Sequence, residues 1–363
     1  MPATQSDNNS LQTRPHFEAL DGLRGVAALA VVIFHFMEIA ITELSKNFIT
    51  HAYLAVDFFF CLSGFVIAYA YDSRMPGMGL GTFIKLRLIR LHPLVVTGAV
   101  LGLLSYFFDP FSNLLNQYGT GQGILMFLGS CFMIPYPIIK ERYYNLFHLN
   151  PPTWSLFYEY IANLFYALVL CRAGKKLLWT LFVLATVAVF FETQHSNGLG
   201  GGWGKEVFWG GPVRVSYSFL AGMLVYRMGW IIKSKLGFVS LSFMLLAALL
   251  LPYKTSINQY TDAFTVLLYF PFLVSLGAGI QVSQTLVGLC KFSGNLSYPL
   301  YMTHYPFVWI FYSYLAARKP PMSWLEILIP ICVIFLVGWA YFIMKFVDIP
   351  IRRYLKRKFV DGV

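Results

Sequence analysis

Charge is scarce in this sequence. Only 12% of its 363 residues are Asp, Glu, Lys or Arg, against about 25% in a soluble domain, while 58% are hydrophobic. That excludes both an ordinary soluble fold and a disordered chain. Acidic groups are the scarcer sign, 16 against 27 Lys and Arg, for a net charge of +11. Cysteine is sparse too. Cys61, Cys131, Cys171, Cys290 and Cys332 show no CxxC spacing, which excludes a disulfide framework and a zinc motif. They read as small buried hydrophobes, and no metal is expected. A repeat of roughly 20–50 residues is also missing, as is a polar stretch long enough for a soluble domain at either end. The polar N-terminal residues carry no basic n-region and no cleavage signal, so the first apolar run is expected to stay in place. The glycine-rich run GLGGGWG at 198–204 has no Lys-Ser/Thr after it, so it is no phosphate cradle. It reads as a flexible connector.

What the chain does have is a series of apolar runs near the ~20 residues that cross a bilayer. Ten are readable, at 23–42, 51–71, 91–108, 153–171, 177–191, 208–228, 237–251, 261–280, 294–315 and 324–346. The fold class expected is therefore all-α integral membrane, with ten transmembrane helices. Residues 122–134 are apolar but short for a span, and charge placement decides how to read them. If they cross, the clusters around Arg172, Arg227 and Arg352 fall outside the cell. If they do not, these clusters join Arg74, Lys85, Arg87 and Arg90 on the cytoplasmic side, which the positive-inside rule prefers. Residues 122–134 are then a re-entrant or membrane-lying segment shielded by protein, and both termini are cytoplasmic. The implied organisation is a cytoplasmic tail at 1–22, a membrane domain at 23–346 and a basic cytoplasmic tail at 347–363. Cytoplasmic loops and this headgroup-facing tail account for most of the positive charge. The lipid bilayer is the partner it implies, and no nucleic acid is needed.

Several ionisable groups fall at membrane depth, where they are costly and mark function. Arg24 and His35 are eleven residues apart in one apolar run, so on a helix they share a face and stand roughly 16 Å apart along the axis. Glu38 follows His35 by three and can orient the imidazole. His304 lies near mid-depth in another run. Trp154 and Ser155 fall at the outer boundary, with Glu159 just over a turn further in. Arg87 and Arg90, in KLRLIRLHP, share a helix side and join Arg24 in a cation cluster suited to phosphate, though flanking positive charge alone also explains them. Asp57 lies within the second run and needs a partner, structural or chemical. His16 and Asp21 have the His-x4-Asp spacing of soluble glycerolipid acyltransferases, but in a polar stretch without that fold. Mid-membrane His and Glu also suit a proton-coupled transporter of small molecules.

Six elements in chain order resemble the acyltransferase-3 family of integral membrane O-acyltransferases. LDGLRGVAALAVVIFH at 20–35 holds the Arg-x10-His pair as Arg24 and His35. DFFFCLSGF at 57–65 follows, with Cys61 where many relatives carry an aliphatic residue. Arg87 and Arg90 match Arg-x-x-Arg, and TWSLFYE covers 153–159. GNLSYPLYMTH covers 294–304, and Asp348, Pro350 and Arg352 match a C-terminal acidic-x-Pro-x-Arg element. The resemblance spans nearly the whole chain and is to the stand-alone form, without a fused SGNH hydrolase-like domain.

That resemblance implies an O-acetyltransferase of a bacterial inner membrane. Acetyl-CoA would be the acyl donor, with succinyl transfer as an alternative. The acceptor would be a hydroxyl of an extracytoplasmic carbohydrate or lipid-linked glycan, such as exopolysaccharide or lipopolysaccharide. Arg24, Arg87 and Arg90 would hold the cofactor's phosphates. His35 would be general base or acyl acceptor, with Glu38, Glu159 and His304 as catalytic neighbours. Trp154, Ser155 and Asp57 would meet the sugar.

Overall fold

The computed structural model describes residues 16–361. Of the expected N-terminal tail, residues 1–15 lie outside the described residues, and the first helix begins at Glu18, inside the stretch expected to be tail. Among the described residues the chain is helical, with no β-strand. Its helices are α1 (Glu18–Ala40), α2 (Ala55–Tyr71), α3 (Met75–Phe108), α4 (Leu114–Cys131), α5 (Thr153–Leu168), α6 (Lys175–His195), α7 (Gly210–Arg227) and α8 (Phe238–Leu249). They continue as α9 (Asn258–Gly279), α10 (Gln284–Thr303), α11 (Tyr305–Arg318) and α12 (Met322–Val360).

All ten apolar runs are helical, but among the described residues only seven helices are long and apolar enough to cross a membrane. The shortfall has a physical cause in each case. α8 has 12 residues, about 18 Å of helix. α7 is interrupted in hydropathy by Arg214 and Arg227. The run at 294–315 is two helices, α10 and α11, broken at His304. The segment at 122–134 belongs to the helix α4, which carries a left-handed glycine, Gly119, at φ 76°. The C-terminal stretch, expected as a basic headgroup-facing tail, is helical, and residues 349–360 continue α12 beyond a π-helical turn at Met344–Asp348.

Burial sorts the helices. In α2, 72% of the apolar window is buried, against 22% in α6 and 28% in α12. α2 is thus central, and the last two present Val183, Leu184, Phe191, Ile331 and Ile334 outward, as lipid-facing helices do. α2 packs chiefly on α7, and α1 on α10. The first contact depends on missing side chains. A Cβ on Gly64 would strike the Phe219 carbonyl, and one on Gly222 would strike the Cys61 carbonyl. Glycine at both positions lets the two backbones approach directly.

The break at His304 is built on Pro306 at the start of α11. Pro306 has no N–H, so the Met302 carbonyl loses its helical donor; Asn150 Nδ2 takes that place at 2.9 Å. The His304 ring donates from Nδ1 to the carbonyls of Leu300 and Tyr301, at 3.1 and 2.9 Å. The ring is fully buried and fixed to the backbone of its own helix.

The connector at 196–209 departs from the flexible reading. Gly198, Leu199, Gly201 and Gly202 are buried. Asp262 accepts from the Leu199 N–H at 2.8 Å, and Arg214 donates to the Gly201 carbonyl at 2.7 Å. Glycine serves here for close packing against Trp154 and Asp262.

Candidate active site

One cavity gathers most of the predicted polar groups. Arg24 from α1, Ser63 from α2, Arg87 and Arg90 from α3, Ser155 and Glu159 from α5, Ser297 and Tyr301 from α10, and Asp348 and Arg352 from α12 line it. Four guanidinium groups face two carboxylates, so the cavity has an excess of positive charge. Its arginines are held differently. Arg24 donates to Ser297 Oγ at 2.9 Å and to the Gly294 carbonyl at 2.6 Å, and Asp21 stands 3.3 Å from it. Arg87 is buried and donates to Glu159 Oε1 at 3.0 Å, an oxygen that also accepts from Ser63 at 2.9 Å. Arg352 pairs with Asp348 at 2.5 Å, one turn back on the same helix. Arg90 is exposed and has no hydrogen-bond or ion-pair partner among the described residues. It is the cation left available to an anion.

His35 lies further along α1, outside the lining of this cavity. Its Nδ1 is 2.6 Å from Glu38 Oε1. A carboxylate there requires the proton on Nδ1, which leaves the Nε2 lone pair as the basic site. His304 stacks on His35 at 5.3 Å and Tyr305 meets it edge-on at 4.8 Å. Because His304 Nδ1 serves two carbonyls, its Nε2 is a buried acceptor with no partner among the described residues. Phe59 and Tyr301 are part of the cavity wall, Tyr301 on the side of His304. Their rings meet at 5.6 Å. Tyr301 is tied to Ser155 at 2.8 Å and lies 6.2 Å from the His304 ring.

A model of the family described as Acyltransferase domain matches residues 17–343. This chain belongs to the acyltransferase-3 family. It is similar to Protein 2 in the picA locus of Rhizobium radiobacter, 36% identical over 48% of this chain and 91% of that protein. It is also similar to a candidate O-acetyltransferase of Staphylococcus aureus (strain COL), 23% identical over 93% of this chain and 58% of that protein. The chain therefore spans somewhat over half the length of the staphylococcal relative. No solved structure matches it.

The remaining predicted residues of this acyltransferase lie apart from the cavity. Asp57 is fully buried in a bidentate pair with Arg214, whose Nη2 is 2.7 Å from Oδ2 and whose Nε is 3.2 Å from each oxygen. Arg214 also serves the carbonyls of Tyr53 and Gly201, so no lone pair of Asp57 faces an open space. Trp154 is 7% exposed, with the Arg214 guanidinium 5.2 Å above its ring and Gly202 against its edge. It is packed inside the protein and does not line the cavity. The His16–Asp21 pair does meet, at 3.2 Å, at the start of α1 and with Asp21 also beside Arg24.

Two groups were missed as site residues. Arg352 was read as part of a basic tail and of the C-terminal acidic-x-Pro-x-Arg element but given no site role, and its spacing of four from Asp348 was the available signal. Arg214 was not singled out, though an arginine in an apolar run is itself a flag. The sequence carries no signal for Tyr305 as a neighbour of His35, because the two are 270 positions apart in the chain.

Proposed function

We propose that this protein is a membrane O-acetyltransferase. It takes acetyl from acetyl-CoA at the arginine-lined cavity and passes it to a hydroxyl of a carbohydrate or lipid-linked glycan arriving from the opposite end of the bundle. Ten crossings, both termini in the cytoplasm and a bacterial inner membrane complete this assignment, with the positive-inside argument as their support. The observation that carries the reading is the order of groups along α1. Arg24, half-buried in the cation-rich cavity, lies at one end, and the His35 imidazole with its free Nε2 lies further along the same helix, outside the cavity lining.

In this scheme Arg90 and Arg24 bind the cofactor's phosphates by charge-assisted hydrogen bonds, and Arg352 adds a third charge. Glu159 positions Arg87 and does not itself transfer a proton. Ser155 hydrogen-bonds Tyr301 and thereby sets the cavity wall past which the thioester reaches His35. His35 Nε2 takes the proton of the acceptor hydroxyl as its oxygen attacks the thioester carbonyl. The carbon–oxygen bond forms, the carbon–sulfur bond breaks, and the departing thiolate takes the proton back from the imidazolium. Glu38 stabilises that imidazolium, and His304 offers a neutral surface against which its ring is held.

Two measurements test the cavity's part. Arg90→Ala should raise the KM for acetyl-CoA by about 10- to 100-fold, from the loss of charge-assisted contacts worth ~1.5–3 kcal/mol, with kcat changed far less. It is read with purified protein in nanodiscs and labelled acetyl-CoA; an unchanged KM removes Arg90 from donor binding. Phe59→Ala opens the cavity wall. Hydrolysis of acetyl-CoA without acceptor should rise, because water then reaches the thioester beside His35. If that rate stays at the level of the unaltered protein, Phe59 is not the barrier.

A further inference from the structure

At the end of the bundle away from Arg24, two short loops are joined edge to edge. Leu146 N donates to the Trp203 carbonyl at 2.9 Å and Lys205 N to the Tyr144 carbonyl at 3.1 Å, and Asn145 and Gly204 form an isolated antiparallel bridge. Within the first loop Tyr143 and Tyr144 are both left-handed, with φ of 57° and 49°. Consecutive left-handed residues with side chains are unfavourable. The turn they make, with N–H groups bonded to the carbonyls of Lys140 and Ile139, would be met more cheaply by glycine or asparagine. Something other than the turn accounts for a tyrosine at 143.

The Tyr143 ring is 60% exposed. It meets Trp203 edge-on at 6.5 Å, and Tyr312, whose hydroxyl donates to the Glu141 carbonyl at 3.5 Å, is near enough to interact with it electrostatically. Its support is rigid. Arg142 is buried, lies 4.0 Å above the Trp309 ring, donates to Ser313 at 3.1 Å and has Asp109 at 3.9 Å. Burial pulls the Arg142 pKa down to about 10, so it remains a cation at neutral pH. From Tyr312 the rings continue inward without a break. Tyr312 meets Trp309 at 5.8 Å, Trp309 meets Tyr305 at 4.9 Å, and Tyr305 meets His35 at 4.8 Å.

We infer that Tyr143, with Trp203 and Tyr312, forms a sugar-binding platform for the acceptor, holding a pyranose ring distant from the one acetylated at His35. Aromatic faces with hydroxyls at their rim suit a sugar, whose axial C–H groups pack on the ring while its hydroxyls find partners. A row of three ring contacts between platform and His35 is longer than one sugar, so the occupant is an oligosaccharide or polymer segment. The inference rests on the acetyltransferase reading for its reaction, but the platform itself is testable by binding alone.

The test uses the full chain in nanodiscs and, as probes, soluble β-1,4-linked hexamers of glucose and of N-acetylglucosamine. Saturation-transfer NMR reads the sugar protons. Transfer should be seen with the unaltered protein, should weaken about tenfold in Tyr143→Gly, and should persist in Tyr143→Phe, which keeps the ring face. Glycine relieves the left-handed backbone, so loss of binding there is not loss of folding. No transfer to either probe, or equal transfer in Tyr143→Gly, overturns the platform. Labelled acetyl-CoA binding to the same nanodiscs separates the two claims. Sugar binding without donor binding sinks the acetyltransferase reading alone, and donor binding without sugar binding sinks the platform alone.

Discussion

Replacing His35 with alanine should lower acetyl transfer by about 10²–10⁴-fold, the range ascribed to a positioned general base, while acetyl-CoA still binds. The geometry explains why the loss falls on kcat. His35 lies outside the lining of the arginine cavity, so its removal leaves the cations that hold the donor untouched. Of the two stacked imidazoles it also takes away the one that combines a free lone pair with partial exposure, since the His35 side chain is 20% exposed and His304 is fully buried. Glu38→Gln should cost less. The amide still accepts a hydrogen bond from Nδ1 and holds the ring, and only the stabilisation of the imidazolium is lost. The measurement is transfer of labelled acetyl to a glycan acceptor by purified protein, with donor binding as the control. Full transfer by a well-folded His35→Ala protein would end the assignment of His35 as base.

The second large effect concerns folding. Asp57→Ala should destabilise the protein by about 3–5 kcal/mol, because it leaves the Arg214 guanidinium buried without a counter-charge. Asp57 and Arg214 are 0% and 1% exposed at their side chains, so water cannot take the missing carboxylate's place. Two opposed outcomes are separable with a paired change. Asp57→Leu together with Arg214→Met removes both charges and should recover much of the thermal stability seen by fluorescence-detected gel filtration. If Asp57 acts only through Arg214, the paired variant should also recover transfer. A stable but inactive paired variant would instead assign Asp57 to the acceptor.

Much of the architecture was legible because the bilayer imposes a simple rule. Apolar runs must be helical, since no water is present to satisfy an open backbone, and all ten runs are helical here. Span number was less legible. The break at His304 depends on Pro306 and on Asn150, which is distant in sequence but caps the freed carbonyl, and hydropathy averages over such a break. Arg24, Arg87 and Glu159 stand out by being charged in apolar surroundings, and they do meet in one cavity. Asp57 stands out for the same reason, yet it is paired with Arg214, and Trp154 packs against the same guanidinium. Burial cost identifies a polar group that needs a partner. It does not say whether that partner is a substrate or another side chain.

By itself the sequence determined an all-helical membrane protein with Arg24 and His35 on one face of its first helix, because helical periodicity is local and the cost of buried charge is general; the acyltransferase reading came from its resemblance to a family. Only the tertiary structure decided which of the polar groups are already satisfied. Arg214 is spent on Asp57, Arg87 on Glu159 and His304 on its own backbone, while Arg90 and the Nε2 of His35 are left without partners among the described residues. That division depends on distances between helices far apart in the chain, and no local pattern encodes it.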